Sequence, residues 1–121
     1  MKNVVFFSVY NGSRLDAANH IRVFKQLNRI GLSPKLVDGR YNGVNEKSLV
    51  LPISAMKLVE KLARQFKQES ILIVYSDRSA ALKFIEKDSI ESIGNFTEVS
   101  QQVALSGNAF SLINQRYYVV L

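Results

Sequence analysis

Apolar residues recur along this chain in two rhythms, and the alternation between them predicts its elements. Val4 to Tyr10 is β-branched and aromatic and reads as a first strand, closed by Asn11-Gly12. Ser13 and Asp16 follow as a capping-box variant, and Ala17, Ala18, Ile21, Phe24, Leu27 and Ile30 keep the three-to-four spacing of one helical face, stopped by Gly31. Lys35 to Val37 reads as a short second strand leading into Asp38-Gly39-Arg40-Tyr41-Asn42-Gly43, a loop rich in turn residues. Ser48 to Leu51 is a third strand ended by Pro52. Ser54 caps a second helix with the stripe Leu58, Val59, Leu62, Ala63 and Phe66. Ser70 to Tyr75 is a continuous apolar run, the mark of a strand covered on both faces.

This order, β-α-β-β-α-β, predicts an α+β protein with a ferredoxin-like core. The last third adds a C-terminal β region: Ala80 to Ile85 and Ile90 to Val99 as short strands, and Phe110 to Ile113 with Tyr117 to Leu121 as a hairpin about Asn114-Gln115. A bare four-stranded sheet has one open face, so the added region or an oligomer partner must cover it. Tyr117 to Leu121 is too apolar to be left solvated, which raises the expectation of edge pairing between subunits. Residues 1–121 form one domain, with 47% hydrophobic content for its core and no linker or repeat.

The chain contains no cysteine and one histidine, His20, which excludes thiolate chemistry and a histidine-rich metal site. No apolar run approaches the roughly 20 residues that span a bilayer, and the opening segment reads as a buried strand, so a soluble, intracellular protein is expected. The net charge of +6 makes an anionic partner conceivable, but the basic residues are scattered and no aromatic-flanked RNA-binding motif occurs, so nucleic-acid binding is disfavoured.

Neither a P-loop nor G-x-G-x-x-G is present, and one histidine gives little basis for a Ser-His-Asp triad. The candidates that remain are acids and aromatics at one predicted sheet rim, where Ser8 to Tyr10, Gly39 to Tyr41, Glu46 and Glu69 converge. Glu69 beside Phe66 and Ile71 needs a ligand or a partner such as Lys67 or Arg64, and Glu46 can equally be a solvated loop residue. Tyr41 can stack on a flat ring or anchor its loop, and His20 can bind substrate or satisfy the interior.

The segments V-F-F-S-V-Y, N-H, L-N-R-I-G-L, D-G-R-Y, N-E-K-S-L-V-L, Q-E-S-I-L-I-V-Y-S and G-N-F-T-E-V, in this order over nearly the whole chain, resemble the phage S-adenosylmethionine (SAM) lyases, long called SAM hydrolases. The resemblance implies a cytoplasmic homotrimer in an infected bacterium, with SAM bound between subunits and no cofactor. The reaction it implies is attack of the substrate's own carboxylate on its γ-carbon, giving 5'-methylthioadenosine and homoserine lactone and depriving SAM-dependent restriction of its cofactor. It also implies Glu46 and Glu69 as catalytic residues and Tyr41 as substrate-binding, with Ser8, Tyr10 and His20 as further substrate-binding candidates. A non-catalytic, nucleotide-binding trimeric regulator and a basic nucleic-acid-binding module are the alternatives.

Overall fold

The structure, a computed structural model, describes residues 2–121. Its elements are β1 (Val4–Phe7), α1 (Asp16–Arg29), β2 (Lys35–Tyr41), β3 (Val44–Pro52), a 3-10 turn (Ile53–Ala55), α2 (Met56–Gln65), β4 (Ser70–Val74), β5 (Ser79–Phe84), β6 (Ser89–Val99), α3 (Gln101–Leu105), β7 (Phe110–Ile113) and β8 (Arg116–Val120). The strands form one closed barrel in the order β1-β3-β2-β7-β8-β6-β5-β4, with every neighbour antiparallel.

The expected ferredoxin-like core with an appended β region is overturned by this closure. β5 pairs with β4 and β7 with β2, so the two strands that would bound a four-stranded sheet are both extended. β8 then joins β6 to β7. An open sheet would leave two rows of unpaired backbone N–H and C=O groups, and the right-handed twist of its strands carries those rows round until the C-terminal strands satisfy them. The expectation of edge pairing through Tyr117 to Leu121 falls for the same reason: β8 has a partner on each side, and Tyr118 and Val120 pack in the interior with Phe96.

Two apolar cores share the strands. Val5, Phe7 and Val9 pack with Leu49, Leu51 and Ile71 beneath the helices, while Phe6 turns into the barrel lumen with Val37, Val74 and Phe96. Strands buried on both faces need apolar residues at every position, and this explains the unbroken Val4–Phe7 and Ile71–Val74 runs. Inside the lumen, Phe96 stacks on Tyr118 with centroids 4.9 Å apart and meets Phe6 at 5.4 Å.

Residues 38–43 are not a loop. β2 continues to Tyr41 and turns directly into β3 at Asn42 (φ 50°) and Gly43 (φ 78°), the two left-handed positions of a tight hairpin. Glu46 therefore stands within β3, paired opposite Gly39. Asn114 (φ 50°) and Gln115 (φ 67°) turn β7 into β8 in the same way, as their sequence predicts.

α2 buries its expected stripe through Val59, Ala63 and Phe66. α1 does not: its buried face is His20, Val23 and Leu27, leaving Ile21 and Ile30 54% and 64% exposed. The periodicity of α1 supports two overlapping faces, and the one that packs carries a histidine that a hydropathy reading rejects. Neither Ser13 nor Ser54 caps its helix. Instead the Asp16 carboxylate accepts the N–H groups of Asn11 and Gly12 at 3.2 and 3.0 Å. α3, unforeseen in the sequence, is capped by Ser100, whose Oγ accepts the Val103 N–H. No helix among the described residues is long and apolar enough to cross a membrane.

Gly94 makes the seam between β6 and β8 sterically possible. Its φ is +128°, and a Cβ there would lie 2.2 Å from the Leu121 carbonyl oxygen. Gly12 also has positive φ (+85°) but faces open space. Gly94→Ala should cost about 2 kcal/mol or more and lower the melting temperature by several degrees, with Gly12→Ala milder because only backbone strain is involved. Thermal unfolding of the two variants checks this; equal losses would show that the seam tolerates a side chain.

Candidate active site

Polarity rises towards one end of the barrel on four strands at once. On the lumen face β3 runs back from Val50 through Ser48 to Glu46, and β4 from Val74 through Leu72 to Ser70. β2 runs from Val37 through Gly39 to Tyr41, and β1 continues from Phe6 to Ser8. Because side chains alternate with period two, each strand delivers its last lumen-facing residue to the same rim. The result is a cavity of about 250 Å³ with an apolar floor of Phe6, Phe96, Tyr118 and Val120 and a polar mouth of Ser8, Tyr41, Glu46, Gln68 and Ser70.

A second recess of about 350 Å³ lies outside the barrel wall, lined by Tyr10, Asp38, Lys47 and Tyr117 among others. Gly39, Arg40, Glu46 and Phe110 line both spaces. Glu46 is the only carboxylate on the lumen wall among the described residues.

Burial and, next, the Asp16 charge push the Glu46 carboxyl above the usual glutamate range. The Ser8 hydroxyl opposes them, but its proton is donated to the Lys47 carbonyl at 2.8 Å, while its oxygen accepts the Tyr10 N–H at 3.0 Å. Ser8 thus braces the end of the first strand against β3 more than it solvates Glu46. Arg40 is held in place: Nε donates to Asn45 Oδ1 at 3.0 Å, Nη1 to the carbonyls of Leu105 and Gly107 at 3.0 and 3.2 Å, and its guanidinium lies 5.1 Å over the Phe110 ring. This ties the segment after α3 to the neck between the two spaces.

His20 is 4% exposed and meets the Tyr10 ring edge-on at 5.9 Å. Its Nδ1 has no hydrogen-bond partner among the described residues. Burial, with Lys47 nearby, lowers its pKa against a smaller opposing pull from Asp38. His20 lines neither space and sits beneath Tyr10, a wall of the outer recess.

Of the residues singled out from the sequence, Ser8, Tyr41 and Glu46 meet at the lumen mouth, and Tyr10 joins Glu46 in the outer recess. Glu69 does stand at the entrance to β4, its carbonyl accepting the Ile85 N–H at 3.0 Å. Its side chain is exposed and lines neither space, although its neighbours Gln68 and Ser70 line the lumen. It forms no ion pair with Lys67 or Arg64 among the described residues. Gln68, Ser70 and Phe110 were missed, while Arg40 had been placed at the rim only as part of the segment Gly39 to Tyr41. Ser70 could have been found as the polar member of an alternating lumen face; Phe110 and its contact with Arg40 could not, because β2 and β7 meet only through closure.

A half-buried carboxylate between an apolar chamber and an open, aromatic-walled recess is suited to binding a cation or hydroxyl groups. No cluster of three or more His, Asp or Glu side chains able to hold a metal occurs among the described residues. Among curated proteins, no sequence matches the chain. The model of the family described as the S-Adenosylmethionine lyase family, however, matches residues 5–121. That match takes in every strand that builds the cavity, and the chain belongs to the S-adenosylmethionine lyase family and is an enzyme of that kind.

Proposed function

We propose that the enzyme converts SAM to 5'-methylthioadenosine and homoserine lactone without water. A carboxylate oxygen of the substrate attacks its own γ-carbon; the bond from that carbon to sulfur breaks, and the electron pair returns to the sulfonium. The observation that carries the reading is the placement of Glu46, the one carboxylate on the lumen wall among the described residues, where an apolar chamber meets an open recess in a chain of this family.

The lumen, at about 250 Å³, is below the roughly 300 Å³ at which ligand pockets usually begin, so it takes part of SAM only. The methionyl arm enters it past Tyr41 at the mouth, and the adenosine stays in the outer recess against Phe110 and Tyr117. Glu46 at the neck balances the excess positive charge of the substrate. The reaction joins a carboxylate to a sulfonium-bearing chain and cancels both charges, so a chamber lined by Phe6, Leu72 and Phe96 favours it over bulk water. Folding the arm brings carboxylate and γ-carbon together, an intramolecular advantage that a separately bound water lacks.

In the infected bacterial cell, in this reading, loss of SAM starves SAM-dependent restriction and methylation. The working form is a homotrimer, with Glu69 reaching the site of a neighbouring subunit from its exposed position.

In water labelled with oxygen-18, mass spectrometry should find no solvent oxygen in the lactone first formed. Homoserine that carries the label at its γ-position, with no lactone preceding it, would overturn the mechanism but leave the substrate standing.

Glu46→Gln should lower SAM turnover by at least about tenfold, or 1.4 kcal/mol. It should also raise the melting temperature at neutral pH. The folded-state pKa of Glu46 is raised, so the folded protein holds that proton more tightly than the unfolded chain does. Its ionisation therefore opposes folding as pH climbs from the ordinary glutamate value through the raised one, and glutamine removes the penalty. The acid limb of parent kcat/KM should accordingly lie above the ordinary glutamate range and be absent in the variant. A variant that is less stable and equally active would make Glu46 a structural residue.

Glu69→Gln should lower turnover as well, by about tenfold, without altering the melting temperature. Light scattering at micromolar concentration should show a trimer. Full activity from a monomer, or from the Glu69 variant, would exclude a site shared between subunits.

A further inference from the structure

α2 ends in a Schellman turn that aims one side chain at the lumen. Lys67 adopts the left-handed conformation (φ 57°), its N–H donates to the Arg64 carbonyl at 3.2 Å, and the Gln68 N–H donates to the Ala63 carbonyl at 2.8 Å. The second residue past such a turn is commonly apolar and packs back on the helix. Here it is Gln68, part of the lumen wall.

The orientation of its amide follows from its neighbours. Nε2 lies 2.6 Å from the Tyr10 carbonyl oxygen and 3.4 Å from that of Phe66. Two carbonyl oxygens can face only the NH2 end of an amide, so both N–H donors are directed at backbone and Oε1 is left as the free polar atom. Oε1 accepts no hydrogen bond among the described residues. At the mouth it joins the Glu46 carboxylate, giving two acceptor groups on one rim.

Two cations stand nearby. Arg40 places three of its five N–H donors on the neutral acceptors Asn45, Leu105 and Gly107, and Lys47 faces Asp38 at 3.2 Å. The Gln68 and Glu46 oxygens are the acceptors that the mouth offers to a donor-bearing cation.

We propose that Gln68 is a substrate-binding residue that, with Glu46, holds the α-ammonium group of the methionyl arm. Gripping the ammonium fixes the α-carbon end of the arm and so limits it to conformers in which the carboxylate can approach the γ-carbon. This inference rests on the lyase reading above and adds a residue and an orientation to it.

The test is calorimetric binding of two probes to the full chain: S-adenosylhomocysteine, which has the amino-acid arm, and 5'-methylthioadenosine, which lacks it. Gln68→Leu removes both donor and acceptor, while Gln68→Lys retains donors for the Tyr10 and Phe66 carbonyls and loses the acceptor. Both variants should weaken S-adenosylhomocysteine by at least about tenfold and leave 5'-methylthioadenosine within about twofold of the parent. Should Gln68→Leu not fold, Gln68→Lys carries the test alone. An unchanged affinity ratio in Gln68→Lys overturns the assignment, as does a lysine that restores binding lost in the leucine variant, because Gln68 would then only brace the backbone. The lyase reading fails separately, through a parent protein that binds both probes and leaves SAM intact.

Discussion

The closure of the sheet through β8 is the constraint on which the rest of this structure depends. β8 is hydrogen-bonded to β6 on one side and β7 on the other, and without it the strand order would break into an open sheet with two unpaired edges. Closure makes an inside. Phe6, Val37, Val74 and Phe96, which on an open sheet would form a face awaiting a cover, instead meet one another and the stacked ring of Tyr118. The opposite faces of the same strands are taken by α1 and α2, so helices and lumen divide the apolar residues of the chain between two cores.

The site follows from how that inside is finished. A barrel of eight strands is about wide enough for side chains to fill or for one small ligand. Here the far end is filled by aromatic rings and aliphatic groups, and the end bearing Ser8, Tyr41, Glu46 and Ser70 is left unfilled. Placing Glu46 there has a cost, since burial and the Asp16 charge both oppose its ionisation. That cost supports the proposed role of Glu46 in the site. The surrounding hydrogen bonds serve to hold rather than to react: Ser8 ties two strands, Asp16 the turn before α1, Arg40 the segment after α3. Such bracing is consistent with chemistry in which the substrate supplies its own nucleophile and the protein supplies shape.

Much of this was legible along the chain. Continuous apolar runs marked β1 and β4 because strands covered on both faces have no polar side to show. The hairpin at Asn114-Gln115 was visible because two apolar runs of strand character flank a polar break of two residues, the first of them an asparagine that tolerates a left-handed position. Ser8, Tyr41 and Glu46 could be grouped because chain direction alone places the end of one strand beside the start of its antiparallel neighbour. The helical period of α1 was legible too, although not which of its faces would be buried.

Tertiary structure decided the remainder, and for one reason: closure is a property of pairings between segments far apart, and no local pattern encodes it. The sequence determined that the C-terminal third would be β, but only the pairing of β5 with β4 and of β7 with β2 turned an appendage into half of a barrel wall. That pairing brought Phe110 beside Arg40, separated by 70 positions in the chain. Glu69 shows the converse. The sequence placed it correctly at the entrance to β4, yet side chains alternate in direction, and it was Gln68 and Ser70 that the fold turned towards the lumen.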